Sequence, residues 1–225
     1  MFVRIRGLHR GENNALICYF QPASWAFWRC LIVAFCLCSW LGHFLEIPYC
    51  FTLESITGII EDDYAVRADP LFVPYHVYGI GAVAMTLLLE PLKERILTNR
   101  KTVWGAVLEM FAFAIAISAF LETVIGLIIN QPDANGLYPY WDNSQLPLNI
   151  LGQGWLINDL VIGLIAMVYI WVLFPCICNW LEKKGQSRAN TIFCLVVITY
   201  LVCSAFGLLR ELGIVSQELM SHVLF

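Results

Sequence analysis

Two glutamates, Glu46 and Glu122, stand inside long apolar runs, FLEIPY and FLETVIG. A bare carboxylate in hydrocarbon costs a few kcal/mol, about 3 on insertion scales, so each acid must be protonated, paired or turned toward a wet cavity. Acids held that way bind a polar ligand, or serve as acid and base with pKa values raised by burial. Other polar residues fall at compatible places. Ser39, His43 and Glu46 are spaced i, i+4 and i+7, which puts them on one helical face beside Gly42. Tyr75 and Tyr78 share a face, Asp159 opens an apolar run, and Arg210-Glu211 closes another. The stretch YPYWDNSQLPLN (138–149) adds aromatics, two prolines, the turn Asp142-Asn143-Ser144, and Asn149.

Each also has a plain structural reading. Tyr75, Tyr78, Tyr138, Tyr140 and Trp141 suit the aromatic belt at a membrane surface. His43 suits a packed helix interface, Asp159 a helix N-terminus, and Arg210 a snorkelling side chain. Glu109, with Ala112 and Ala116, marks a close helix contact and pairs with Arg100 or Lys101; Glu90 pairs with Lys93 or Arg95. Gly79, Gly81 and Ala82 thin their helix for a neighbour's approach.

The elements that must position these groups follow from composition. With 60% hydrophobic and 13% charged residues over 225 positions, the chain is an integral membrane protein of all-α class. Five stretches are long enough to span, at about 25–49, 71–92, 103–129, 154–178 and 190–212. Residues 1–24 read as a basic interfacial arm and 25–225 as a single transmembrane domain; the first span lacks a cleavage site and stays uncleaved. Eleven of the thirteen Lys and Arg residues lie in the arm and first turn (Arg4, Arg6, Arg10, Arg29), after the second span (Lys93, Arg95, Arg100, Lys101), or after the fourth (Lys183, Lys184, Arg188). The alternate connections carry Glu54, Glu61, Asp62, Asp63 and Asp69, then Asp133 and Asp142; Arg67 and Arg210 are the exceptions. The N-terminus is therefore expected inside and the C-terminus outside, in the cell membrane. All the candidate groups, Glu46, Tyr75, Tyr78, Glu122, Trp141, Asp142, Asn149, Asp159 and Arg210, then fall in the outer half.

Cys30, Cys36, Cys38, Cys194 and Cys203 lie within apolar runs, and the pairs Cys36/Cys38 and Cys176/Cys178 point about 200° apart on a helix. Packing is expected of them, with no metal and no cofactor. Basic residues are few and confined to membrane edges, which excludes nucleic acid as a partner.

Four segments resemble one known family. WLGHFLEIPY (40–49), VPYHVYGIGA (73–82), FLETVIG (120–126) and YWDNSQLPLNILGQGWL (140–156) are similar to the conserved pieces of the type IV ABC-transporter (CmpB-like) permeases. The resemblance runs from about 38 to 180. It supports Glu46, Tyr78, Glu122, Trp141, Asp142, Asn149 and Gly152 as site residues. ADPLF (68–72) departs from the family's NGP, and Gln153 stands where the family has arginine. If that arginine neutralises a carboxylate or an anionic ligand in relatives, Arg210 is the residue left to do so here. The resemblance implies a permease role with a separate ATPase subunit, since the chain carries no phosphate-binding loop of its own, and implies homo-oligomers.

Three readings follow. The chain is a transporter or transport-complex subunit binding a small molecule or lipid headgroup in an outward-facing polar cavity. Alternatively it is an intramembrane enzyme on a lipid or isoprenoid, with Glu46 and Glu122 as acid and base and Asp142 orienting substrate. Or it is a non-catalytic scaffold whose polar groups knit helices together, its partner the lipid bilayer.

Overall fold

A computed structural model describes residues 3–6, 15–58, 70–99, 102–134, 136, 138 and 141–214. Glu61, Asp62, Asp63, Arg67, Asp69, Arg10, Arg100, Lys101, Pro139 and Tyr140 lie outside the described residues, as do the side chains of Arg4, Arg6 and Glu211.

The basic-apolar alternation at the N-terminus has a strand's period of two, and it folds as one. Strands β1 (Val3–Arg6) and β2 (Ala15–Cys18) pair antiparallel, Val3 opposite Cys18. The chain then docks: Phe20 N–H donates to Glu94 Oε1 at 3.4 Å, and Tyr19 Oη accepts from Asn179 Nδ2 at 2.8 Å. Burial pushes the Cys18 thiol up to about 12, aided by the nearby Glu94, so the thiol stays protonated and unreactive.

Helices follow: α1 (Trp25–Thr57), α2 (His76–Asn99), α3 (Val103–Ile129), α4 (Leu156–Val168), a π turn (Tyr169–Leu173), α5 (Phe174–Lys183) and α6 (Gln186–Glu211). A second hairpin, β3 (Asn149–Ile150) with β4 (Gly154–Trp155), precedes α4. Among the described residues, four segments are long and apolar enough to cross a membrane: Trp25–Ile56, Val103–Ile129, Leu156–Lys183 and Gln186–Arg210. Helix α2 is not one of them, because Glu90, Lys93, Glu94 and Arg95 interrupt its second half.

Side chains at the bundle centre (Phe27, Leu31, Leu89, Met110, Ile170 and Phe174) are fully buried. The outside is no less apolar: Trp104, Leu108, Ile128, Leu195 and Val202 are all exposed. A helical protein that is greasy on both sides faces lipid, and its helices associate through close packing rather than through expulsion of water. Helix α2 comes closest to α1. A methyl group placed at Gly42 would strike the Tyr78 ring, and one at Gly79 would strike Ser39 and Phe35. Gly81, two positions on and so on another face, meets nothing.

Helix boundaries differ from expectation for physical reasons. Helix α1 runs past Pro48 to Thr57, with Thr52 Oγ1 and Ser55 Oγ returning hydrogen bonds to Pro48 O and Phe51 O, until Gly58 (φ 66°) closes it. Helix α2 begins only at His76, after Pro70 and Pro74, and continues beyond 92 because its charges are satisfied internally. Lys93 Nζ, buried, meets Glu90 Oε1 at 2.6 Å and Ile170 O at 3.1 Å, with the Tyr19 ring 5.6 Å away. Ile170 O is free to accept for a local reason. Phe174 N–H bonds Tyr169 O instead, and the next residue, Pro175, has no N–H. Thr86 Oγ1 and Tyr169 Oη, 2.7 Å apart, complete the joint between α2 and the π turn.

Removing Lys93 alone strands a buried carboxylate. Lys93→Met is expected to cost about 3–5 kcal/mol, and Glu90→Leu/Lys93→Met to recover most of it. Thermal unfolding of the three proteins in lipid nanodiscs checks this.

Candidate functional site

The seam between α3 and α4 gathers the acids. Ser118 and Glu122, one helical turn apart on α3, face Asp159 and Asn158 in the first turn of α4. Ser118 Oγ donates to Asp159 Oδ1 at 3.0 Å, and Asn158 Nδ2 donates to Glu122 Oε1 at 2.5 Å. Trp155 N–H, at the N-cap of α4, reaches Glu122 Oε2 at 3.3 Å. Asn158 Oδ1 in turn accepts from Tyr49 Oη on α1 at 2.6 Å. One chain of hydrogen bonds thus ties three helices, and the two carboxyls lie close enough to interact directly. Asp159 is fully buried, and among the described residues its Oδ2 and the buried Thr123 Oγ1 make no hydrogen bond beyond the contact of the two carboxyls.

The aromatic loop roofs this seam. Buried Gln153 packs against Gly126 and exchanges hydrogen bonds with Asn130: Asn130 Nδ2 to Gln153 Oε1 at 3.0 Å, and Gln153 Nε2 to Asn130 O at 3.4 Å. Gln153 O accepts from Trp141 Nε1 at 2.9 Å and Asn143 Nδ2 at 2.6 Å, and Asn130 Nδ2 also reaches Trp141 O at 2.7 Å. Trp155 Nε1 bonds Pro147 O at 3.0 Å. These ties hold Leu148 (φ 64°) and Leu151 (φ 55°) in the left-handed region, at about 1–2 kcal/mol each for residues with a side chain.

Asp142 and Asn149, read from the sequence as facing a ligand, both bond within the loop. Asp142 Oδ1 accepts from Ser144 N–H at 2.9 Å. Asn149, exposed, donates to Ser144 O (3.3 Å) and Leu146 O (2.8 Å), and accepts from Gly152 N–H (3.0 Å). Two polar residues in a tight loop find backbone sooner than a neighbouring helix.

A second cluster joins α1, α2 and α6. His43, fully buried, places Nδ1 2.6 Å from Val73 O, which makes Nδ1 the protonated nitrogen, and stacks on Tyr75 at 4.0 Å and 9°. Its Nε2 has no protein partner. Tyr78 lies over Gly42, and Tyr200 on α6 bonds His76 Nδ1 and packs on Trp40 and Phe35. Glu46 Oε1 lies 3.9 Å from Cys50 Sγ, one turn from Tyr49 on α1. Arg210 sits in the last turn of α6. Glu122 and Asp159 thus converge, and the bonds and ring contacts described for Glu46, Tyr75 and Tyr78 are with α1.

Tyr49, Ser118, Thr123, Asn130 and Asn158 did not stand out in the sequence. Ser118 at i−4 from Glu122 and Asn158 beside Asp159 were the available signals. Two clefts lie at the opposite, basic end: one of about 260 Å³ between Arg95, Asn99 and Glu109, and one of about 60 Å³ beside Arg29 and Glu182.

Over residues 33–207 the chain matches the family described as "Putative ABC-transporter type IV". The chain belongs to this family. The ABC-transporter type IV match takes in α6 as well as the four segments noted above, and makes this a multi-pass membrane protein of a transport-related family. No curated protein and no solved structure matches it. Buried Gln153 is answered by a neutral amide partner, Asn130.

Asn158→Leu would leave Tyr49 Oη and Glu122 Oε1 without their partner at once. It is expected to destabilise the protein by about 2–3 kcal/mol, while Asn158→Asp/Glu122→Gln retains most of the stability; thermal unfolding in nanodiscs reads the difference.

Proposed function

We propose that this chain is a transporter or a subunit of a transport complex, and that the polar layer at the ends of α1, α3, α4 and α6 binds a small molecule or lipid headgroup. One observation carries the reading: the Tyr49–Asn158–Glu122 chain draws three helices onto a buried acid with a second acid, Asp159, beside it. Scaffolding alone needs no pair of like-charged groups, which oppose each other in an apolar site. The seam described here is closed, and parting Tyr49 from Asn158 is the movement that would open it toward α1.

In this reading α2 is a fifth span carried by its internal ion pair, residues 25–225 form one transmembrane domain, and the N-terminus is inside and the C-terminus outside. The basic end of the bundle then faces the cytoplasm with Arg29, Lys93, Arg95, Lys183, Lys184 and Arg188. The connections there are short, Arg100–Thr102 and Lys184–Gly185, so an ATPase partner docks on the helix ends and the β1–β2 hairpin.

Two outcomes are expected. An impermeant maleimide on a cysteine-free background labels Gly136→Cys in intact cells and Gly185→Cys only after permeabilisation; the reverse pattern sinks the orientation. Native mass spectrometry of the wild type from nanodiscs shows a retained small molecule or lipid that Glu122→Gln and Glu46→Gln lose. Identical spectra for all three sink the ligand reading.

A further inference from the structure

At the basic end of the bundle a buried cation stands without a counterion. Arg29, near the start of α1, is 3% exposed. A guanidinium taken out of water needs an opposite charge or a full set of acceptors. Its Nη1 donates to Asn190 Oδ1 at 2.9 Å, a neutral oxygen that Trp25 Nε1 also reaches at 3.4 Å. Its Nε has no partner, and no carboxylate among the described residues forms an ion pair with it. Arg29 borders the cavity of about 60 Å³, whose other walls include Glu182 near the end of α5 and Gly185 and Gln186 at the start of α6. A water needs about 10–15 Å³ of such space, so the cavity admits a group the size of one phosphate. Helix α6, 26 residues long, opens on it with no side-chain cap. Ala189 N–H is the first to bond back into the helix, to Gly185 O, which leaves the N–H groups of Gln186, Ser187 and Arg188 without an intrahelical acceptor.

We propose that this cavity binds one phosphate group, either a free phosphate ion or the phosphate of an anionic lipid, between Arg29 and the N-terminus of α6. A guanidinium and a helix N-terminus both favour an oxyanion, the first by its fork of N–H donors and the second by its orphan amides and dipole. A cation in the same space would meet the buried charge of Arg29. Glu182, exposed, is the acid among the residues that border the cavity; Lys183, Lys184 and Arg188 flank it in the chain and keep the surroundings positive. The site lies at the end of the bundle opposite the acids, so it stands or falls separately from the ligand proposed there.

The test is thermal unfolding of the full chain in a maltoside detergent, which carries no phosphate. In one arm sodium phosphate replaces sodium gluconate at constant ionic strength; in the other, phosphatidic acid or uncharged diacylglycerol is added to the micelles. If free phosphate is the ligand, the wild-type midpoint rises saturably in the first arm. If the ligand is a lipid phosphate, the midpoint rises with phosphatidic acid, and neither diacylglycerol nor inorganic phosphate reproduces the rise. Phosphate also stabilises proteins in general by exclusion from their surface, so the reading is the difference from Arg29→Gln, which loses the saturable part. Gln186→Pro removes one amide at a position where proline suits the helix, and needs about tenfold more ligand for the same rise. Should the wild type show no saturable rise in either arm, or should either variant respond as the wild type does, the site does not exist. Should Arg29→Gln fail to fold, Gln186→Pro decides in the same way.

Discussion

A polar atom inside an apolar bundle must be answered by another polar atom, and this requirement organises the structure. Water is absent from the hydrocarbon, and the helices gain little by burying apolar surface against each other when lipid is equally apolar. Hydrogen bonds and close packing at a few positions therefore decide which helix meets which. The link from Glu122 through Asn158 to Tyr49 fixes α3, α4 and α1 at one end of the bundle. The link from Glu90 through Lys93 to Ile170 O fixes α2 against the π turn nearer the other end.

The two layers are of different kinds. One is neutralised: Lys93 answers Glu90, and the carbonyl that Pro175 cannot satisfy gives Lys93 its second acceptor. The other brings two acids together, with no cation bonded to either among the described residues. The difference lies in charge and not in spare acceptors, since Glu90 Oε2 and Asp159 Oδ2 are both left over.

The roof over that layer shows how a strained loop is kept. Leu148 and Leu151 occupy a backbone region that side chains disfavour. They stay there because Trp141, Asn143, Asn149 and Trp155 pin the loop's carbonyls and amides from several directions. The aromatics in this stretch thus do more than sit at a membrane surface: two of their indole N–H groups bond the loop itself.

How much was legible depends on the kind of signal. Charge and long apolar runs are read without knowing neighbours, so the membrane class, the helix over 103–129 and the weight placed on Glu122 and Asp159 all came from the linear chain. The partners did not. Asn158, Ser118, Thr123 and Asn130 are uncharged, cost little in a helix, and gain meaning only from what stands opposite. Asp142 and Asn149 looked equally able to face a ligand or their own loop, and bonds from both run within the loop. Helix α2 looked as if it should end at its charges, but a lysine reaching an unsatisfied carbonyl on a distant helix let it continue. The sequence by itself determined which groups could not be left in lipid. Only the tertiary structure decided which group answers which, because hydrogen bonds act over about 3 Å and their partners here lie 33 to 109 residues apart in the chain.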